Sequence, residues 1–205
     1  RIFLAGDAAH LMPPFMGQGM CAGIRDVSNL AWKISHCLKN EHNDKLLNTY
    51  QSERSSNVKE YIETTMRMGE FVNAVGKSPI TNNISADSKG RKSMKSIKPR
   101  LGQGLGDLKD KFRGKIFPQF IIKKNKKLDE KFSLKPALII SDEIKKNISS
   151  KIKLIKSKNI KNLELFFKEH NCKAVIVRPD RFILSSCTSV KNFNSYLNKN
   201  LSLLA

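Results

Sequence analysis

Within "GDAAHLMPPFMGQGMCAGIRD", residues 6–26, an acidic residue, a histidine, two adjacent prolines and three spaced glycines precede a helical pattern. Asp7 stands one residue, Gly6, past Arg1-Ile-Phe-Leu-Ala5, an apolar run that reads as a strand. That places a carboxylate where α/β folds put ligand-binding groups and where it can accept hydrogen bonds from hydroxyls. Gly17 and Gly19 let a flat or phosphorylated ligand approach the backbone, and Pro13 and Pro14 stiffen the loop so that little ordering entropy is lost on binding. The helix that follows exposes unpaired N–H groups and the positive end of its dipole, which attract anionic or electron-rich groups. The ligand itself, rather than a Ser or Thr side chain, is the expected cap.

The neighbours of that loop have plainer readings. His10 reads as a packed loop histidine bonded to backbone, not as an acid or base. Arg25 and Asp26 read as a pair, or as an anchor for the loop from the helix's second turn. Trp32 reads as core rather than a ring stacked on a ligand. Gly17-x-Gly19-x-x-x-Gly23 and Gly102-x-Gly104-x-Gly106 both depart from the dinucleotide fingerprint G-x-G-x-x-G. Arg178-Pro-Asp180-Arg181 reads as a turn between strands and has no assigned chemistry.

The elements that must position these residues follow from periodicity. Met20, Ile24, Val27, Ala31, Ile34 and Leu38 recur at spacings of four and three, which predicts a helix of about five turns with that stripe packed. A second helix is predicted from about 43 to 75, carrying Leu46, Leu47, Tyr50, Val58, Tyr61, Ile62, Met68, Phe71 and Val72 and stopped by Gly76 and Pro79. Residues 77–115 are poor in large apolar groups and read as a long excursion or linker. The remainder predicts strand 133–141, helix 143–149, strand 152–156, helix 161–170, strands 173–178 and 182–187, and helix 190–203. Strands alternating with helices and closing on a hairpin indicate a small α/β domain.

Composition bounds the possible functions. The chain has 205 residues, 40% of them hydrophobic, enough for a real core, and no apolar run of membrane-spanning length. A cytoplasmic protein is expected, with no membrane partner. Cys21, Cys37, Cys172 and Cys187 form no C-x-x-C pair, so reduced, buried thiols are expected, with no metal site and no dithiol exchange. The net charge of +20 is concentrated in residues 89–161, which hold 23 Lys and Arg against six Asp and Glu. These lysines lie among Ile, Asn and Ser with few aromatics, so a solvated surface and no specific nucleic-acid partner is the reading, with weak, salt-sensitive binding to duplex DNA.

The run "RIFLAGDAAHLMPPFMGQGMCAGIRDVSNLAWKI", continuing through "LLNTYQSER", "GQGLGD", "FPQF" and "AVIVRPDRFI", resembles the FAD-dependent aromatic monooxygenases of the para-hydroxybenzoate hydroxylase class. Within that class it is most similar to the 3-(3-hydroxyphenyl)propionate hydroxylase branch. The resemblance implies an α/β fold: the C-terminal part of a Rossmann-like FAD-binding domain over 1–76, a basic linker or excursion over 77–129, and a thioredoxin-like domain over 130–205. It implies FAD as cofactor with NAD(P)H as co-substrate, and hydroxylation of a phenolic ring with O2. Gly6, Asp7, Pro14, Gly17, Gln18, Gly19 and Met20 become the cofactor-binding residues, Asp7 toward the ribityl chain and the backbone of 14–20 toward the pyrimidine edge and pyrophosphate. The family's first glycine-rich strand-turn-helix and most of its substrate pocket are not in this sequence, so turnover is expected to need an N-terminal portion, and a homo-oligomer is a further expected partner. The alternative is a noncatalytic α/β scaffold or binding module with a basic surface.

Overall fold

A computed structural model describes residues 2–39, 44–73, 84–86, 92–94, 97–123, 126–132, 135–145, 152–158 and 160–201. Two long helices come first, α1 (Gly19–Lys39) and α2 (Asp44–Asn73), packed against each other. Two short hairpins follow, β1 (Ile84–Ala86) with β2 (Lys92–Met94) and β3 (Ile121–Lys123) with β4 (Lys126–Lys127). The remaining elements are β5 (Ala137–Ile140), β6 (Lys153–Lys156), α3 (Lys161–Glu169), β7 (Ala174–Val177), β8 (Ile183–Cys187) and α4 (Phe193–Leu201).

The last four strands make one sheet in the order β6-β5-β7-β8, with β5 parallel to β6 and antiparallel to β7, and β7 antiparallel to β8. The sheet is therefore mixed, with one parallel and two antiparallel pairs. Both faces are covered, so β5 (ALII) and β7 (AVIV) are buried at every position. Alternation sends Ile139, Val175 and Val177 into a core with Phe112, Phe117, Leu163 and Phe167, and Leu138, Ile140 and Ile176 into a second with Leu184 and Phe193.

Several expectations are corrected. Residues 2–5 are extended, but no strand pairs with them among the described residues; Leu4 is held instead through its carbonyl, which accepts from Tyr50 Oη at 2.7 Å. The strand expected over 133–141 is limited to Ala137–Ile140, and where a helix was expected over 143–149, residue 143 lies in a turn with 142, residues 144–145 are in no helix and 146–149 lie outside the described residues. Gly76 and Pro79 also lie outside them, as do the side chains of Phe71 and Val72.

The largest correction is the orientation of α1. Its predicted stripe faces outward, with Met20 75%, Ile24 56%, Val27 57% and Leu38 80% exposed, while Ala22, Asp26, Asn29 and Lys33 line the buried face. A polar face can be buried when its groups meet partners, and here α2 and the β7–β8 turn supply them for Asp26, Lys33 and the Asn29 amide nitrogen. Residues 97–120, within the span expected as linker, contribute Leu101, Phe112, Phe117 and Phe120 to the interior. They are stitched to both halves: Gly102 N–H donates to Glu53 C=O at 2.9 Å, and Gly114 N–H to Ile183 C=O at 2.8 Å. Gly104 has to be glycine, because a Cβ there would sit 2.3 Å from the Glu53 side chain. No helix among the described residues is long and apolar enough to cross a membrane.

Candidate functional site

The 6–20 loop is shaped by its own backbone. Gly6 has φ +60° and begins a single 3-10 turn, Gly6–Ala8, that carries Asp7 on an exposed surface. Pro14 starts a second turn, Pro14–Met16, which Gly17 ends in the left-handed conformation at φ +60°, with nothing within 4 Å of where a Cβ would stand. Glycine is the residue that adopts this φ without strain. Gln18 C=O accepts the first helical bond, from Ala22 N–H at 2.8 Å, while its side-chain Oε1 accepts from Arg25 Nη2 at 2.8 Å rather than turning back onto the helix. No acidic residue lies in the first turn of α1, and Met20 points outward.

A buried layer holds this loop. Asp26, on the second turn of α1, accepts from Gly6 N–H at 3.0 Å, His10 Nε2 at 2.7 Å and Arg54 Nε at 2.7 Å. Arg54 continues to Asn57 Oδ1 at 2.6 Å, and Asn57 Nδ2 donates to Pro99 C=O at 2.7 Å. Burial works against the charge on Asp26, but the bonds from Arg54, Gly6 and His10 outweigh it and hold the carboxyl below its usual range. Asp26 is therefore the anchor, with Arg54 rather than Arg25 as its ion-pair partner, and His10 bonds to its carboxylate rather than to backbone. Arg25 instead lies over the Tyr61 ring, 4.7 Å from its centroid.

A second cluster was not legible as a site from sequence. Glu53 on α2, fully buried, takes a bidentate pair from Arg178 with both N···O distances 2.8 Å, and a third ion pair from Lys33 Nζ at 2.8 Å. Asp180 accepts from Arg178 Nη2 at 2.6 Å, Asn29 Nδ2 at 2.9 Å and Trp32 Nε1 at 3.1 Å. Leu105 N–H adds a bond to Glu53 Oε1 at 2.9 Å. Burial opposes the Glu53 charge, yet the pull of Arg178 and Lys33 lowers its pKa to about 2. On Lys33, burial together with repulsion from Arg178 outweighs Glu53 and brings it down to about 8. Arg178-Pro-Asp180 thus fastens the C-terminal sheet to α1 and α2; Trp32 is core, as read, with its N–H used. The available signal was the polar spacing of Asp26, Asn29 and Lys33 opposite the apolar stripe, together with charges directly following the buried strand AVIV.

Cys172 and Cys187 are buried, and burial pushes the Cys172 thiol up to about 11, the setting of an unreactive thiol. Among the described residues no group of His, Cys, Asp and Glu could hold a metal ion.

Residues 1–65 match the family model described as "FAD binding domain". The first third of the chain is therefore similar to FAD-binding domains. It is 40% identical over 126 residues to the "Probable NADH-specific resorcinol 4-hydroxylase" of Rhodococcus jostii, a match over 60% of this chain and 23% of that protein. It is 49% identical over 72 residues to "3-(3-hydroxy-phenyl)propionate/3-hydroxycinnamic acid hydroxylase 2" of Burkholderia vietnamiensis, over 35% of this chain and 13% of that one. The chain thus aligns with less than a quarter of the length of these curated relatives. Among solved structures, the flavin-dependent monooxygenase PieE in complex with FAD and substrate aligns over 100% of this chain and 47% of its own, with TM-score 0.63 and 14% identity. Aklavinone-11 hydroxylase with FAD and aklavinone aligns over 98% of this chain and 44% of its own, with TM-score 0.57 and 18% identity. These two likenesses establish the fold of an FAD-dependent monooxygenase over both halves of the chain.

Proposed function

We propose that this chain is the FAD-contacting part of an aromatic hydroxylase that uses NAD(P)H and O2 on a phenolic compound, as the names of its relatives suggest. The observation that carries the reading is the division of labour at the loop. Asp26, His10 and Arg54 are turned inward to fix it, and Asp7, Gly17 and Met20 are left facing out. The residues present fit such a cofactor: open space stands beside Gly17, the first turn of α1 carries no competing acid, and Gln18 is drawn aside by Arg25.

In this reading Asp7 accepts hydrogen bonds from ribityl hydroxyls. The backbone of Pro14 and Gly17 and the N–H groups of Gln18, Gly19 and Met20 meet the electron-rich edge and the pyrophosphate, with Gly6 setting the angle at which Asp7 is presented. When bound, the flavin supplies the redox chemistry, taking reducing equivalents from NAD(P)H and activating O2. The helix end favours negative charge in front of it by roughly 0.3–2 kcal/mol. The outward stripe of α1 and the extended residues 2–5 are, in the same reading, the surface that an N-terminal portion of the FAD domain covers in the cytoplasm.

A fusion to the N-terminal portion of the Rhodococcus relative tests this. The fusion should bind FAD and turn yellow, the present chain alone should bind it poorly, and Asp7→Ala should weaken binding in the fusion by about 1.5–3 kcal/mol. Unchanged affinity in Asp7→Ala, read by flavin fluorescence titration, contradicts the assignment.

A further inference from the structure

Where the helix pair meets the last sheet, the buried charges do not balance. Lys33 on α1 and Glu53 on α2 are fully buried, Arg178 and Asp180 enter from the β7–β8 turn, and Arg113 comes from the 97–120 segment, its Nη2 3.8 Å from Glu53 Oε1. Three cations, Lys33, Arg113 and Arg178, thus face two carboxylates, Glu53 and Asp180. The excess shows at Arg113. Its Nε and Nη1 donate to the carbonyls of Leu105 and Gly102 at 2.8 and 2.6 Å, but Nη2, shut off from solvent, has no hydrogen-bond partner. The neighbouring groups on the two helices do not offset it: Asp26 and Arg54 neutralise each other, and His36, one turn beyond Lys33 and lowered by burial, is neutral above pH 7.

An arginine does not give up its proton, and protonating Glu53 or Asp180 would widen the gap. Lys33 is therefore the member of the five that can restore the balance, by becoming a neutral amine that still donates to Glu53 Oε2 at 2.8 Å. We infer that the joint between the two halves is a proton-linked latch: docking the C-terminal sheet onto α1 and α2 expels a proton from Lys33 in mildly alkaline solution, so the joint tightens as pH rises. Burial above all brings Lys33 to about 8 in the folded protein, against an ordinary 10.5. Between those values the unfolded chain holds the extra proton and the folded one does not. The Lys33 contribution to stability therefore climbs with pH across that window and is level on either side of it. The inference needs no cofactor and does not rest on the function proposed above.

The test uses the whole chain, labelled with 13C at lysine Cε and titrated by NMR. The Lys33 signal, the one absent from Lys33→Met, should move with a midpoint near 8. In urea unfolding followed from pH 8 to 10.5, the unfolding constant of the wild type should fall by roughly a hundredfold more than that of Lys33→Met. Lys59→Met, which removes an exposed α2 lysine, should keep the wild-type slope. That control is needed because the chain carries a net charge of +20, and any lysine that loses its proton eases self-repulsion. Should Lys33→Met not fold, Lys33→Arg serves both purposes: it removes the signal and keeps a charge that cannot leave, so its slope should also be the shallower one. A Lys33 midpoint at the ordinary 10.5, a wild type in which no lysine signal moves below about pH 9, or a variant slope as steep as the wild type's would overturn the inference.

Discussion

Asp7 and Asp180 are both acids in short turns at the end of apolar runs, Arg1–Ala5 and Ala174–Val177, yet the chain treats them oppositely. Asp7 is exposed on a loop that packs nothing against Gly17, whereas Asp180 is 8% exposed and takes hydrogen bonds from Asn29, Trp32 and Arg178. A motif of the kind proposed to serve a ligand keeps its polar groups free at the surface. One that serves the fold exhausts them on the protein itself. The first kind is recognisable within twenty residues; the second is visible only when distant segments meet.

The sharpest way to break this contrast is at Glu53. Glu53→Gln leaves Lys33 and Arg178 buried with only Asp180 to balance them, and a loss of about 3–5 kcal/mol in urea unfolding is expected. A loss under 1 kcal/mol would mean that the cluster is not what fastens the two halves.

The acid limb of stability gives a second, charge-specific check. The folded-state pKa of Glu53, about 2, lies below the ordinary 4.5, so its contribution is complete above pH 4.5 and is lost as pH falls toward 2. The wild-type midpoint should therefore drop steeply across that window and Glu53→Gln should follow a shallower slope, whereas parallel slopes would assign the acid sensitivity to other carboxylates.

At the loop the expected effects are smaller. Gly17→Ala forces φ +60° on an L side chain and should cost about 1–2 kcal/mol by strain alone, since no atom stands near the new Cβ. Asp7→Ala, an exposed position, should shift the unfolding free energy by no more than about 0.5 kcal/mol. A larger destabilisation by Asp7→Ala than by Gly17→Ala would erase the distinction between an exposed acid and a fold-serving one.

What was readable from sequence follows the same line. Helices α1 and α2, and the strands β5 and β7, were legible because their signals are local: apolar spacing in the first two, and the unbroken runs ALII and AVIV in the others. The buried side of α1 was not, because periodicity weighs apolar residues and its packed face is Ala22, Asp26, Asn29 and Lys33. Met20, Ile24 and Val27 gave a strong stripe that points away from the described core. Arg178 looked like an unremarkable turn residue because its partner, Glu53, lies 125 positions earlier in the chain. The extended run 2–5 has the composition of a strand, but a ladder needs a second strand, which composition cannot supply.

That separation has a consequence for how the molecule is made. Bringing Glu53 and Arg178 together closes 125 residues of chain, for which the length-dependent part of the entropy loss is about 4 kcal/mol. At roughly 5–20 residues per second, Arg178 leaves the ribosome some 6 to 25 seconds after Glu53. Throughout that interval Lys33 and Glu53 remain hydrated on the surface of a helix pair that cannot finish packing. The first half of the chain completes its interior only after the last sheet has been synthesised, so nascent chains stopped before Arg178 should be far more open to protease than the finished protein.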